Sequence, residues 1–190
     1  MIRIRPSLDR IERMLNLFWL RFHWDLKNAP ADDLKASLPF VLSRADRDDK
    51  DAVQKVATNA FSMDTGWSDI QRIFAETIVR NVRAGFEKDS PDCVIVQHGS
   101  RIIGASILNT DVAAESHLTT GPCVLHEYRG RGLGTLLLKA SLAALRDAGL
   151  PRAYGVARDR TAAARFLYPK FGGSCEPWSP DFEVAQKLAA

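Results

Sequence analysis

Apolar residues recur along this chain at two spacings, and the places where the spacing changes divide it into elements. Over residues 48–61, Val53, Val56, Ala57 and Ala60 repeat at helical intervals. Over 70–86, Ile73, Phe74, Thr77, Ile78 and Val82 share one helical face before Gly85 supplies a stop. Strand-like runs bounded by turn residues predict strands at 40–43, 93–97, 101–108, 117–125, 152–157, 174–178 and 183–188. His98, Gly99 and Ser100 join two of these as a hairpin-like turn, and 109–116 is a polar loop. Residues 133–148 predict a long helix whose polar stripe is confined to Thr135, Lys139 and Arg146, with Gly149 and Pro151 ending it. A shorter helix is predicted over 161–168, where Pro169 biases Tyr168 away from helical geometry.

At the start of the chain, the pattern predicts a helix over 8–28, capped near Ser7 or Asp9 and closed before Pro30. Ile11, Leu15, Phe18, Phe22 and Leu26 form one stripe, while Leu17, Leu20 and Trp24 form a second, nearly opposite. One partner cannot cover both, so this helix either caps the body, packs within its own chain or forms a homodimer contact. The segment 29–39 reads as a linker, which divides the chain into an N-terminal helical extension, 1–38, and a main domain, 39–190.

Composition adds limits. At 190 residues and 46% hydrophobic content, the chain can bury the core of one soluble domain. A net charge of +3 comes with scattered arginines, not the basic stripe of a nucleic-acid binder. No stretch has the run of about 18 apolar residues that a membrane span needs, and Glu12 and Asp25 argue against a membrane-surface helix. Cys93, Cys123 and Cys175 are too few and too widely spaced for a disulfide framework or zinc site, so we expect no metal and a reducing, cytoplasmic location.

The candidate chemistry sits at 128–135, YRGRGLGT, between a predicted strand and the long helix. Alternate glycines at 130, 132 and 134 let a backbone approach a ligand closely, Arg129 and Arg131 add charge, and the helix start presents free N–H groups. That combination suits a polyphosphate. It is not the GxGxxG turn of dinucleotide folds, and it falls past the middle of the chain instead of in a first βα unit.

The element order around this loop, and the run VLHEYRGRGLGTLL, resemble the GNAT superfamily of acetyl-CoA-dependent N-acetyltransferases over residues 40–190. Arg129, Gly132 and Gly134 occupy the positions of the family's RxxGxG motif, while His126 stands where proline is frequent. A second segment, TAAARFLYPKFGG at 161–173, is similar to a later helix of the family through Ala164, Tyr168 and Gly172, with Thr161 in place of Asn and Gly173 in place of Phe. The resemblance implies an α/β (α+β) fold: a mixed, mostly antiparallel sheet of about six to seven strands flanked by about four helices. It also implies acetyl-CoA as co-substrate and a primary amine as acceptor. The backbone of Arg129, Gly130, Arg131, Gly132, Leu133, Gly134 and Thr135 would hold the pyrophosphate, and Cys123 and Val124 would pair with the pantetheine arm, with Thr161 nearby. Pro122 removes a ladder donor there and favours a bulged, splayed pairing.

For catalysis, the resemblance makes Tyr168 the group that protonates or hydrogen-bonds the departing thiolate. The glutamate that serves one branch of the family as base is replaced by Leu118. His117, whose ordinary pKa is near 6.5, is the favoured substitute, with Glu76, Asp111 and Glu115 as alternatives that also suit a cationic amine. Cys123 has no triad signature, so direct transfer is expected. Arg158, Arg160, Arg165 and Lys170 offer either a contact to a further phosphate or an ordinary solvated face. A non-catalytic acyl-CoA sensor, or an interaction module using the N-terminal helix, is the alternative class.

Overall fold

The computed structural model describes residues 19–28, 36–67 and 71–178. Its first element corrects the reading above. Trp19–Asp25 is a strand, β1, followed by a single turn of 3-10 helix at Leu26–Asn28. The physical reason is visible in the residues: Leu20, Phe22, Trp24 and Leu26 alternate with Arg21, His23, Asp25 and Lys27, a period of two that a helix cannot bury on one side. Trp24 and Leu26 are fully enclosed, so Trp24 needs no outside partner. The rest of the predicted helix, residues 8–18, lies outside the described residues, as does the predicted strand at 183–188.

The remaining elements follow the predicted order: β2 (Phe40–Arg44), α1 (Lys50–Ser62), α2 (Gln71–Gly85), β3 (Cys93–His98), β4 (Arg101–Leu108), β5 (Leu118–Val124), α3 (Leu133–Asp147), β6 (Arg152–Arg158), a π-helical segment (Ala163–Leu167) and β7 (Ser174–Pro177). Among the described residues, seven strands form one sheet in the order β2-β3-β4-β5-β6-β1-β7. Every pairing is antiparallel except β5 with β6. The extension expected at 1–38 thus contributes its described strand to the interior of the sheet, between β6 and β7.

Strand β4 is buried from Ile102 to Leu108 because helices cover both faces. Gly104 leaves room for Leu137 of α3, and Ser106 takes a 2.9 Å hydrogen bond from Ser141, while Ile107 lies against Gly85 of α2. In α1, Val53, Val56, Ala57 and Ala60 are all buried, as the spacing predicts.

Two irregularities open the sheet. Ala105 pairs with Cys123 and Ile107 with Thr120, so Ser106 on β4 faces both Gly121 and Pro122 on β5, the bulge that Pro122 favours. Strands β5 and β6 pair only at Leu118 and Gly155, then separate toward their C-terminal ends.

Candidate active site

The glycine turn lies at the open end of that separation. Gly130 and Gly132 have φ of 75° and 79°, in the left-handed region that side-chain-bearing residues avoid, and no protein atom lies within 4 Å of where a Cβ would sit on either. Helix α3 starts at Leu133, and its first backbone bond runs from Leu136 N–H to the Gly132 carbonyl. The N–H groups of the first turn therefore face the cleft without intrahelical partners, at the positive end of the helix dipole.

Of the two arginines of the turn, Arg129 lines the cleft and Arg131 does not. Arg129 Nη2 donates to the Ala60 carbonyl at 2.7 Å and Nε to the Val124 carbonyl at 3.3 Å, which ties the turn to the last turn of α1 and to the end of β5. Arg131 lies 5.5 Å above the Tyr128 ring and outside the cleft lining. A second cation lining the cleft at the turn is Lys170, whose Nζ donates to Thr135 Oγ1 at 3.0 Å. Of the other cations near this motif, Arg158 is buried and holds the Gly66 carbonyl at 3.0 Å, and Arg165 bonds the Asp159 carbonyl. Glu127 pairs with Arg101 at 3.0 Å.

From the turn, a single cavity of about 800 Å³ runs along Val124, Cys123, Pro122 and Gly121 of β5 to Tyr168 and beyond. Thr161 lines it too: its hydroxyl donates to the Arg158 carbonyl at 2.7 Å and accepts from Ala164 N–H, which caps the π-helical segment. Tyr168 ends that segment with helical φ and ψ of −66° and −29°, against the expectation drawn from Pro169. Phe22 and Trp24 of β1 grip its ring edge-on at 5.2 and 5.4 Å, and its hydroxyl donates to the Gly121 carbonyl at 2.8 Å. Burial drives the ionisation of this phenol well above its ordinary value.

His117 is not placed to act as a base. It is 1% exposed and does not line the cavity. Its Nδ1 accepts the backbone N–H of Tyr154 at 2.9 Å, which leaves Nε2 to carry the proton and donate to the Asp111 carbonyl at 3.2 Å. The one lone pair a base could use is already committed. Burial lowers its pKa below the ordinary 6.5. The neutral ring is therefore favoured in the fold, so its stabilisation is present above pH 6.5 and is lost as pH falls below that value. Thermal melts of wild type and His117→Gln should differ most near pH 7.5, and the gap should narrow by pH 5; a gap that widens in acid would contradict this.

Burial also pushes the thiols of Cys93 and Cys123 up to about 12, so neither is a thiolate nucleophile near neutral pH. Of the predicted acidic candidates only Glu115 lines the cavity; Glu76 and Asp111 do not. The sequence reading missed Asp64, which also lines it. Asp64 stands in the turn after α1, where Oδ1 accepts the Gly66 N–H at 3.0 Å and Trp67 N–H bonds its carbonyl. Also missed was a wall of rings at this end, formed by Trp19, Phe61, Trp67, Phe74 and Trp178. Short motifs carry no sign of it, because its members come from three separate parts of the chain, Trp19, 61–74 and Trp178.

A splayed parallel pair opening onto a glycine turn at a helix N-terminus is an arrangement of an α/β sheet suited to an extended, phosphate-bearing ligand. The sequence profile of the acetyltransferase (GNAT) family matches residues 55–172, and the chain belongs to that family. Solved structures share the fold. A GCN5-related N-acetyltransferase from Sphaerobacter thermophilus is 18% identical with a TM-score of 0.58, over 91% of this chain and 55% of that one. The GCN5-related glucosamine N-acetyltransferase region of a fungal multi-domain β-N-acetylglucosaminidase is 16% identical with a TM-score of 0.57, over 83% and 20%. A Drosophila protein is 16% identical with a TM-score of 0.56, over 84% and 48%. The chain thus spans about half or less of the length of these proteins. No curated protein sequence matches it.

Proposed function

We propose that this protein transfers an acetyl group from acetyl-CoA to a primary amine by direct attack. The observation that carries this reading is the continuity of one cavity from the glycine turn, past the unpaired side of β5, to the Tyr168 hydroxyl. The N–H groups of the first turn of α3, with Lys170 beside them, receive the pyrophosphate. The side of β5 that faces β6 at Cys123 and Val124 offers backbone groups to the amides of the pantetheine arm. On this reading the thioester lies near Gly121 and Tyr168.

The amine nitrogen attacks the thioester carbonyl carbon, a C–N bond forms, and collapse of the tetrahedral oxyanion breaks the C–S bond and releases CoA thiolate. A phenol with a raised pKa yields its proton reluctantly. Tyr168 therefore acts by hydrogen-bonding the developing thiolate, turning its O–H from the Gly121 carbonyl, while solvent supplies the proton that completes the thiol. Asp64, one of two carboxylates lining the cavity with Glu115, takes the proton that the ammonium must lose, directly or through water.

The test is to incubate the protein with acetyl-CoA and a panel of amines, following free thiol and the acetylated product by mass spectrometry. Thiol and acetyl-amine appearing in equal amounts is the expected result. Tight acetyl-CoA binding without thiol release on any amine would instead mark a sensor.

A further inference from the structure

The five rings at the far end of the cavity are packed edge-on, tilted or stacked, with centroids 4.7 to 6.4 Å apart. Trp19, with Trp67, Phe74 and Trp178 against it, forms an apolar cluster apart from the main core. Trp19 is held by the sheet: β1 pairs it with Arg158, and Trp178 N–H bonds its carbonyl at 3.1 Å. A cluster whose members all line one cavity presents flat apolar surface to whatever enters. In the same turn, Asp64 N–H bonds the Phe61 carbonyl, so a carboxylate stands between two of the rings in sequence and lines the same cavity. Only one of its several acceptor positions is needed by the Gly66 N–H. Asn81, which also lines the cavity, donates through its Nδ2 to the Thr119 carbonyl and to Thr120 Oγ1. Arg80 and Glu115 also line the cavity, and with Asp64 the three sum to one negative charge, which suits a single positive charge on a bound molecule.

Resting on the acetyl-transfer reading, we infer that the acceptor is a small primary amine carrying a single positive charge on an aromatic body. The ring lies against Trp67 and Phe74, and the ammonium is received by Asp64. A volume of about 800 Å³ shared with the pantetheine arm leaves room for a small molecule, and the ring wall rewards a flat one. Polyamines meet Arg80, and short aliphatic amines leave the wall uncovered.

The experiment is titration of the full chain, without any acyl donor, with 2-phenylethylamine, n-butylamine and spermidine, followed by intrinsic tryptophan fluorescence and calorimetry. Phenylethylamine should bind at least tenfold more tightly than the other two. Trp67→Ala and the milder Phe74→Leu should each weaken phenylethylamine about fivefold or more while acetyl-CoA affinity stays within twofold, which separates loss of the wall from loss of the fold. Equal affinity for all three amines, or an unchanged preference in Phe74→Leu, would overturn the inference even if some other amine is acetylated. An aryl preference without thiol release would instead leave the inference standing and remove the acetyl-transfer reading.

Discussion

Replacing Gly132 by valine should raise the Kd for acetyl-CoA about a hundredfold, or ~2.7 kcal/mol. Gly132 sits at φ of 79° directly before α3. A β-branched residue there costs about 1–2 kcal/mol in the left-handed region, and relaxing that strain turns the N–H groups of the first turn away from a phosphate. Apart from its immediate chain neighbours, nothing lies within 4 Å of a Cβ there, and Gly132 itself lines the cavity, so the new side chain stands at the ligand's path. Gly149 provides the control: its φ is 90°, its Cβ position is equally open, and it lies at the far end of α3, away from the cavity. Gly149→Val should therefore carry similar strain, and both variants should lose about 2–4 °C in Tm per kcal/mol. Only Gly132→Val should lose the cofactor. Calorimetric titration of both variants decides the matter, and equal affinities would refute the assignment of the turn to the pyrophosphate.

Tyr168→Phe should lower kcat about a hundredfold, some 2.7 kcal/mol of transition-state stabilisation, with KM for acetyl-CoA changed less than threefold. The ring stays clamped between Phe22 and Trp24, so the fold loses chiefly the hydrogen bond to the Gly121 carbonyl, about 1 kcal/mol. A kcat within twofold of wild type would mean that the hydroxyl only braces β5. A joint rise in KM and fall in Tm would mean that the bulge at Gly121 and Pro122 had moved. Steady-state kinetics with a melt on the same samples separates these outcomes.

Between residues 40 and 178 local pattern is a good guide, because the long helices there are periodic and the strands are short runs bounded by turn residues. The helix expected over 133–148 is Leu133–Asp147, and that over 48–61 is Lys50–Ser62. Strand β1 escaped because Phe18, Phe22 and Leu26 also fit a helical spacing, and two opposed stripes were read as a helix with two partners when alternation explained both. The glycine turn was legible since its residues are contiguous. Arg129 was not, because its partners, Ala60 and Val124, are brought to it only by the fold. His117 illustrates the same limit: nothing local reveals that the Tyr154 N–H occupies its free nitrogen. Asp64 and the ring wall exist as a site only after the sheet assembles.

The place of β1 also sets a schedule for synthesis. Its neighbours in the sheet are β6 and β7, so Trp19 emerges from the ribosome early while its partner Arg158 is made most of the chain later. At about 5–20 residues per second, that interval is roughly 7–30 s. For that time an alternating apolar strand has no mate, while β2 to β5 and α1 to α3 can already gather around β4. The strand that clamps Tyr168 therefore joins the sheet only once β6 is made, and β7, made later still, adds to its other side as the final edge.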